Sequence, residues 1–354
     1  MQDNMDKKIL TVGCAYKPVK GGIGQVLEIY EQYIFEEFEI VVNSGKKGLH
    51  NWLVLLSAIF DFVHRLLSNK EIEIVHIHTA SYNSFYRSAI FLLLGRMSGK
   101  KVILHIHGGG FKEFYHSNPS LICRILRRAH CIVVLSRSWQ DFFSGVVKRK
   151  LIEVVPNPVV LPSEEELQRR EQSPLLRLLF LGLLDSQKGI YDLLDVLERE
   201  KSCFRGRVVL NVGGNGDTSV FERRVMEKGL SDLVTFHGWV SGEKKKQLLL
   251  DSDVFVLPSY VEGLPMAILE AMAHGLAILS TPVGGIPEVV DESSGFLIRP
   301  GDKDALAERL KTLCDNPDIL NALKKGSRRA GVAYSTDAVR EVLNGVYQKV
   351  LMED

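Results

Sequence analysis

Glu262 and Glu270 lie eight positions apart in "YVEGLPMAILEAMAHG" (260–275), with a glycine and a proline between them. A carboxylate flanked by Ile268, Leu269, Ala271 and Met272 is costly in an apolar run unless a partner satisfies it. Proline is favoured at the first helical position, so the spacing predicts a helix from Pro265 to Ala273 or His274, closed by Gly275. Glu262 then sits on the loop before that helix and Glu270 well inside it. The amides of Gly263, Leu264 and Met266 gather at the helix start, where anions and hydroxyl-rich ligands are favoured. Gly263 lets a ligand approach the backbone closely. An ionised carboxylate can accept from two adjacent hydroxyls, as a ribose offers them. The other reading of Glu270 is a salt bridge to a Lys or Arg, with Glu262 an ordinary loop residue.

The elements that must position these groups follow a regular plan. "KILTVG" (8–13), "FEIVVN" (38–43), "IEIVHIH" (72–78), "KVILHIH" (101–107) and "CIVVLS" (131–136) form one series of apolar runs. "RLLFLG" (177–182), "RVVLNVG" (207–213), "VTFHGW" (234–239), "DVFVLPS" (253–259) and "AILSTPV" (277–283) form a second. Near-continuous apolar strands separated by helix-length stretches indicate parallel sheets covered on both faces. Two such series predict an α/β protein with two doubly wound domains. The proline-bearing stretch "VPNPVVLPSEEELQRREQSP" (155–174) marks the break. The expected domains are therefore 1–157 and 158–333, with a linker near 156–174 and a helix over 334–354 returning to the first domain. Ligands of open parallel sheets bind beyond the carboxyl ends of the strands, where the candidate residues fall, so one active site in a cleft between the domains is expected.

The segment "FVLPSYVEGLPMAILEAMAHGLAILSTPVGGIPEVV" resembles the EX7E region of retaining glycosyltransferases of family 4. "FLGLLDSQKGIYDLL" (180–194), "NVGGNGD" (211–217), "VTFHGWV" (234–240) and "GFLIRPGDKDALAERL" (295–310) extend the resemblance through the carboxyl-terminal half. "GGIGQV" (21–26), "VHIHTA" (75–80), "HIHGGGF" (105–111) and "VPNPV" (155–159) look like the family's stations in the amino-terminal half. The resemblance implies the GT-B architecture, two Rossmann-like domains facing across a cleft. It implies transfer of a sugar from a nucleotide-diphosphate sugar to an acceptor hydroxyl with retention of configuration. No cofactor or metal is implied; the nucleotide sugar is a substrate, with a UDP-sugar expected ahead of a GDP-sugar. By the resemblance Glu262 contacts the transferred sugar, Lys188 the diphosphate, and His107 approaches the donor sugar. Glu270 would hold the ribose, and Gly263, Leu264 and Pro265 the sugar hydroxyls. Gly22 and Gly24 of "GGIG", Gly182 and the backbone near Val240, which would meet the base, complete the donor site. His78, ending the strand beside that of His107, is the weaker candidate. One departure stands out: where the family reads "GRL", this chain reads "GLL", and Leu183 replaces an arginine that contacts the diphosphate. A GT-B nucleotide-sugar epimerase and a non-catalytic nucleotide-sugar binding subunit therefore stay open as alternatives.

Composition narrows the partners. The 354 residues are 45% hydrophobic and 25% charged, as in a soluble globular protein. The net charge of +1 hides a split: residues 1–165 carry 20 Lys/Arg against 15 Asp/Glu, hence +5, and residues 166–354 carry 24 against 28, hence −4. The basic half suits a solvated surface, or attraction to an anionic membrane or a polyanionic acceptor. Its basic residues are not interleaved with aromatics in a nucleic-acid module, so no nucleic acid is expected. A lipid-linked or oligosaccharide acceptor fits the family's use in envelope and exopolysaccharide assembly. "WLVLLSAIFDFV" (52–63) is too short to span a bilayer. The helical stripe Trp52, Leu55, Leu56, Ile59, Phe60, Val63, Leu66 and Leu67 is read as core, with an interfacial helix flanked by Lys46, Lys47, Arg65 and Lys70 as the other reading. Cys14, Cys123, Cys131, Cys203 and Cys314 form no metal spacing and suggest reduced thiols, hence a cytoplasmic protein, peripheral to the inner membrane at most. Of the two DxD strings, Asp251/Asp253 precedes a strand and Asp302/Asp304 looks like a helix cap.

Overall fold

The structure is a computed structural model and describes residues 3–18, 21–45, 50–148, 150–168 and 173–353. The chain divides into unit 1, Met1–Pro158 with Thr336–Asp354, and unit 2, Val159–Ser335. Unit 1 holds β1 (Ile9–Cys14), β2 (Glu39–Ser44), β3 (Ile74–Thr79), β4 (Lys101–Ile106), β5 (Cys131–Val134) and β6 (Leu151–Val154). They form a parallel sheet in the order β2-β1-β3-β4-β5-β6. Unit 2 holds β7 (Leu176–Leu184), β8 (Val208–Gly216), β9 (Val234–Phe236), β10 (Val254–Leu257), β11 (Ala277–Ser280) and β12 (Gly295–Leu297). These are parallel in the order β12-β11-β10-β7-β8-β9. Each unit is thus a Rossmann-like doubly wound sheet, with its order reversing between β1 and β3 in unit 1 and between β7 and β10 in unit 2.

Every residue of β3, β5, β10 and β11 is buried, which is why these strands read as unbroken apolar runs. Two strands escape the sequence reading, β6 and β12. Both are edge strands, of four and three residues, with a single buried residue each.

In unit 1 the helices His50–Ser68, Asn83–Met97, Phe111–Ser117, Pro119–Leu126 and Arg137–Val146 cover one face of the sheet. Leu55, Phe62, Phe91, Phe114, Ile122 and Phe143 from these helices share one apolar core with Val75 and Ile77 of β3. Side chains alternate along a strand, so His76 and His78 point to the opposite face. There they meet Tyr30 and, from the helix Thr336–Met352, Tyr347. The 50–68 helix corrects the core reading in part. Leu55 and Leu66 are buried and Ile59 and Val63 pack against the core, whereas Trp52, Leu56, Phe60 and Leu67 are exposed. The helix is apolar over more of its circumference than one sheet face can cover. Lys46 and Lys47 lie outside the described residues.

Candidate functional site

The order reversal between β7 and β10 is where a doubly wound sheet opens a crevice, and two loops meet there. After β7, the Asp185 carboxylate accepts from the Lys188 amide at 2.9 Å and caps the short turn Ser186–Lys188. Gly189 follows at φ +70°, and a Cβ at this position would stand 2.1 Å from the Pro258 carbonyl oxygen. Only glycine lets the lysine turn lie this close to the loop after β10. The Tyr260 amide donates to the Gln187 carbonyl at 2.8 Å and ties the loops again. Lys188 Nζ consequently donates to Glu262 Oε1 at 2.6 Å, and Ser259 Oγ donates to the same oxygen at 2.8 Å. Glu262 is 8% exposed. Among the described residues Oε2 takes no hydrogen bond, so it is the oxygen left for a ligand.

A third loop, after β11, supports the glutamate from below. Thr281 Oγ1 donates to the Ser259 carbonyl at 2.6 Å, and the Gly285 amide to the Gly263 carbonyl at 2.6 Å. Gly284 has φ +58°, and a Cβ there would lie 2.2 Å from the Glu262 carbonyl oxygen. Ser259, Thr281 and Gly284 were not singled out from sequence. The signal was present in "TPVGG" (281–285), whose paired glycines follow a strand end directly.

Glu270 lies in the helix Met266–Ala273, which starts one residue later than expected. Pro265 has ψ 124°, an extended value, and stands before the first turn, its carbonyl accepting from the Ile268 and Leu269 amides. Gly275 follows the helix at φ +68°. The partner that Glu270 requires is Lys245 of the helix Gly242–Asp251, whose ammonium donates to Oε1. Both side chains are largely buried. This is the salt bridge of the alternative reading. Gly182 of β7 has its carbonyl oxygen 2.1 Å from where a Cβ on Gly214 would sit, and the buried Val240 side chain closes over Gly213. Leu183 is exposed at the end of β7.

His107, Gly22 and Gly24 belong to unit 1. Gly22 and Gly24 open the helix Gly21–Ile29 after β1, with Gly24 buried against Tyr16 and Gly22 exposed. His107 follows β4; its Nε2 lies 2.9 Å from His78 Nδ1, and its ring hydrogen-bonds the Asn157 side chain. His76 Nδ1 pairs with the Tyr347 hydroxyl at 2.7 Å, and His76 Nε2 with His105 Nδ1 at 3.2 Å. Burial holds His107 down to about 4, with the Asn157 bond opposing it, and takes His76 to about 3. His78 and His105 are pushed well below the ordinary histidine value, again chiefly by burial. All four rings are neutral at physiological pH. His76, His78 and His105 form the group best able to hold a metal among the described residues, their nitrogens within 4.8 Å of one another; His76 spends both ring nitrogens on Tyr347 and His105, whereas His78 Nε2 and His105 Nε2 are buried with no hydrogen-bond partner. Sequence reasoning weighed His78 and His107 and missed His76 and His105, although "HIH" recurs on both strands.

The DxD aspartates are occupied otherwise. Asp253 accepts from Lys324 Nζ at 2.8 Å and Arg177 Nε at 3.4 Å, and Asp302 caps the helix Lys303–Asp315 through the Ala305 amide.

Residues 163–330 match the family model described as glycosyl transferases group 1, and residues 29–161 match that of glycosyltransferase family 4. The chain is 26% identical to an uncharacterised 41.2 kDa protein in the cps region of Klebsiella pneumoniae, over 82% of this chain and 86% of that protein. It is 31% identical to the MMP alpha-(1->4)-mannosyltransferase of Mycolicibacterium hassiacum over 62% of this chain and 54% of the relative. It is 30% identical to the amylovoran biosynthesis glycosyltransferase AmsK of Erwinia amylovora over 54% of this chain and 49% of the relative. The match thus spans about half the length of these two transferases. Among solved structures, sucrose-phosphate synthase from Thermosynechococcus elongatus superposes with a TM-score of 0.77 at 19% identity, over 97% of this chain and 99% of the other. The Anabaena protein Alr3699/HepE in complex with UDP gives 0.76 at 17% identity, over 97% and 100%. With both units matched by these families and both sheets by these folds, the chain is a glycosyltransferase of the group 1/family 4 type with a GT-B fold.

Proposed function

We propose that the protein transfers a glycosyl unit from a nucleotide-diphosphate sugar, UDP-linked in preference to GDP-linked, to a hydroxyl of a lipid-linked or oligosaccharide acceptor. The configuration is retained, no metal takes part, and the product belongs to an envelope polysaccharide or exopolysaccharide. The observation that carries this reading is the Lys188–Glu262–Ser259 cluster at the point where the sheet order reverses. An ammonium there meets charge growing on a departing diphosphate, and Glu262 Oε2 faces the sugar being transferred. Glu270 and Lys245 together take the ribose hydroxyls. His107, kept neutral by burial, contributes hydrogen bonds to the donor sugar and no positive charge. The UDP complex of the Anabaena protein supports the choice of base, and the amylovoran relative supports the class of product. The basic excess of residues 1–165 draws unit 1 to an anionic membrane on the cytoplasmic face, where a lipid-linked acceptor lies.

A thermal-shift series over UDP-, GDP- and ADP-sugars tests the donor, since a ligand that binds the folded state raises its melting temperature. Proton NMR of the glycoside formed from the active donor then reads the anomeric configuration. An inverted anomer, or donor consumed without an acceptor, overturns the proposal.

A further inference from the structure

We propose that unit 1 carries a headgroup site for anionic phospholipid, a pocket ringed by Arg96, Arg124, Arg127 and Arg128, on the same side of the sheet as an apolar helix face that enters the lipid. This rests on the membrane reading above and names the face and the chemical group recognised.

The pocket has a volume of about 800 Å³, and Tyr115, Pro119, Ser120, Cys123 and Val146 complete its wall. Its place in the fold separates it from the candidate catalytic residues. Arg96 closes the helix that leads into β4, Arg127 and Arg128 follow the helix that leads into β5, and Val146 closes the helix that leads into β6. All of them enter the sheet at its amino-terminal edge, whereas His107 and the Gly22–Gly24 turn leave it at the carboxyl-terminal edge.

The charge in the pocket is not neutralised from within. Arg124, Arg127 and Arg128 make no ion pair among the described residues. Outside the pocket Arg65 pairs with Asp61 and Glu39, Arg177 with Asp253, Arg205 with Asp232 and Arg207 with Asp315, whereas Arg224 and Arg309 make no ion pair among the described residues and lie over the Tyr191 and Phe296 rings. Among the described residues the Arg96 guanidinium donates only to the His130 ring. Burial first, then the charges of Arg96, Lys101 and Lys150, holds His130 down to about 4, while Glu353 supplies opposing charge beside Lys150. Guanidinium groups match phosphate oxygens in geometry and charge, and several of them around one pocket suit a phosphodiester.

The second observation is independent. On the 50–68 helix Trp52, Leu56, Phe60 and Leu67 are 71%, 60%, 77% and 74% exposed, while Leu55, Phe62 and Leu66 on the other side fill the core. Spacings of about four place the exposed residues in one row. Met97, beside Arg96, is 83% exposed. The helices bearing the row and the pocket cover the same face of the sheet, because they share one core. A bilayer satisfies both features at once, since acyl chains take the Trp/Phe/Leu row and headgroup phosphates take the arginines. A protein partner would have to supply a carboxylate for each arginine next to an apolar groove.

Co-sedimentation of the full-length protein with phosphatidylcholine vesicles, with and without phosphatidylglycerol, tests the site. Three proteins are compared: the unaltered chain, Arg124→Gln/Arg127→Gln/Arg128→Gln, and Leu56→Gln/Phe60→Gln. All changes are at exposed or rim positions, and melting curves confirm folding. The unaltered chain is expected to bind only the phosphatidylglycerol vesicles. The arginine variant loses about fivefold in partitioning per guanidinium removed, and the apolar variant loses binding to a similar extent. Arginine-variant binding equal to that of the unaltered chain, with the apolar variant impaired, overturns the headgroup site and leaves membrane docking standing. Absence of binding to either vesicle overturns both. Competition by inorganic phosphate at low millimolar concentration assigns the pocket to a soluble anion and overturns the lipid source.

Discussion

Acidification from neutral to about pH 5 is expected to unfold unit 1 through His76, His78, His105 and His107. The four rings occupy one face of the β3–β4 pair, and burial is the largest cause holding each below the ordinary value of 6.5, His76 at about 3 and His107 at about 4. In the unfolded chain each returns to about 6.5. As pH falls the unfolded state binds protons first, so their contribution is intact above the unfolded value and is lost progressively from there down through the folded values. Near pH 5.5 an unfolded histidine carries about 0.9 proton and a folded one almost none, which is about 1.2 kcal/mol per pH unit for each ring and about 5 for four. Between pH 7 and pH 5 the four rings together withdraw about 8 kcal/mol, enough to unfold a domain in the lower part of the typical range of about 5–15 kcal/mol. The paired carboxylates Asp195 and Asp253 titrate below their ordinary 3.8 and act in a lower, separate window. Near-ultraviolet melts report on unit 1 through the buried Trp139, read in a Trp239→Phe background that removes the tryptophan signal of unit 2. A melting temperature that stays level between about pH 7 and pH 5 refutes the reasoning, because buried neutral histidines cannot unfold into a protonated state without that dependence.

The remaining predictions concern unit 2. Lys188→Ala should lower turnover about 10²- to 10³-fold, the range for losing one group that stabilises developing charge, and also cost roughly 1–3 kcal/mol of stability, because Glu262 is left nearly buried without its cation; steady-state rates and urea titration measure the two separately. Leu183→Arg should raise turnover in the same assay, and an unchanged rate shows that another group already meets the diphosphate. Glu270→Gln should weaken donor binding by about 1–3 kcal/mol in calorimetry; unchanged affinity with a lowered melting point assigns Glu270 to packing with Lys245 alone. Gly284→Ala should destabilise unit 2 by at least about 1–3 kcal/mol, since its left-handed backbone and the Glu262 carbonyl both exclude a Cβ, and a melting point unchanged from that of the original chain would show that the loop relaxes freely.

Much of this fold is legible in the sequence because buried parallel strands leave a mark that needs no partner. "IEIVHIH" and "DVFVLPS" announce themselves, whereas β6 and β12 at the sheet edges do not, being short and covered on fewer sides. The site is legible in its residues but not in its pairings. Lys188 and Glu262 are 74 positions apart and Lys245 and Glu270 are 25 apart, so only the register of β7 against β10 and the docking of the helices bring them together. The glycines at 189 and 284 stand out as turn residues, yet the backbone each must admit, at Pro258 and at Glu262, belongs to a different loop. The 50–68 helix shows the converse limit. Periodicity shows that it is apolar, but which part of a wide apolar stripe meets the sheet depends on the packing of its neighbours.

The two units handle desolvated charge in opposite ways. Behind His107 unit 1 removes charge, leaving four neutral rings joined by hydrogen bonds and sealed by Tyr347. Unit 2 keeps charge and pairs it, Lys188 with Glu262 and Lys245 with Glu270, each pair largely withdrawn from water. A buried pair contributes little net stability, because the loss of hydration offsets most of the attraction between the partners. The arrangement makes sense instead as preparation. On the proposed chemistry an incoming diphosphate finds an ammonium that is already desolvated and aimed, so its arrival exchanges a carboxylate for phosphate oxygens without stripping water from the cation. On the same proposal Leu183, standing where the resemblance expects an arginine, gives Lys188 two tasks, holding Glu262 before the donor binds and meeting the leaving group afterwards. The Gly189–Pro258 contact fixes the turn that carries Lys188, so on the proposed chemistry it serves the reaction by holding the ammonium in place.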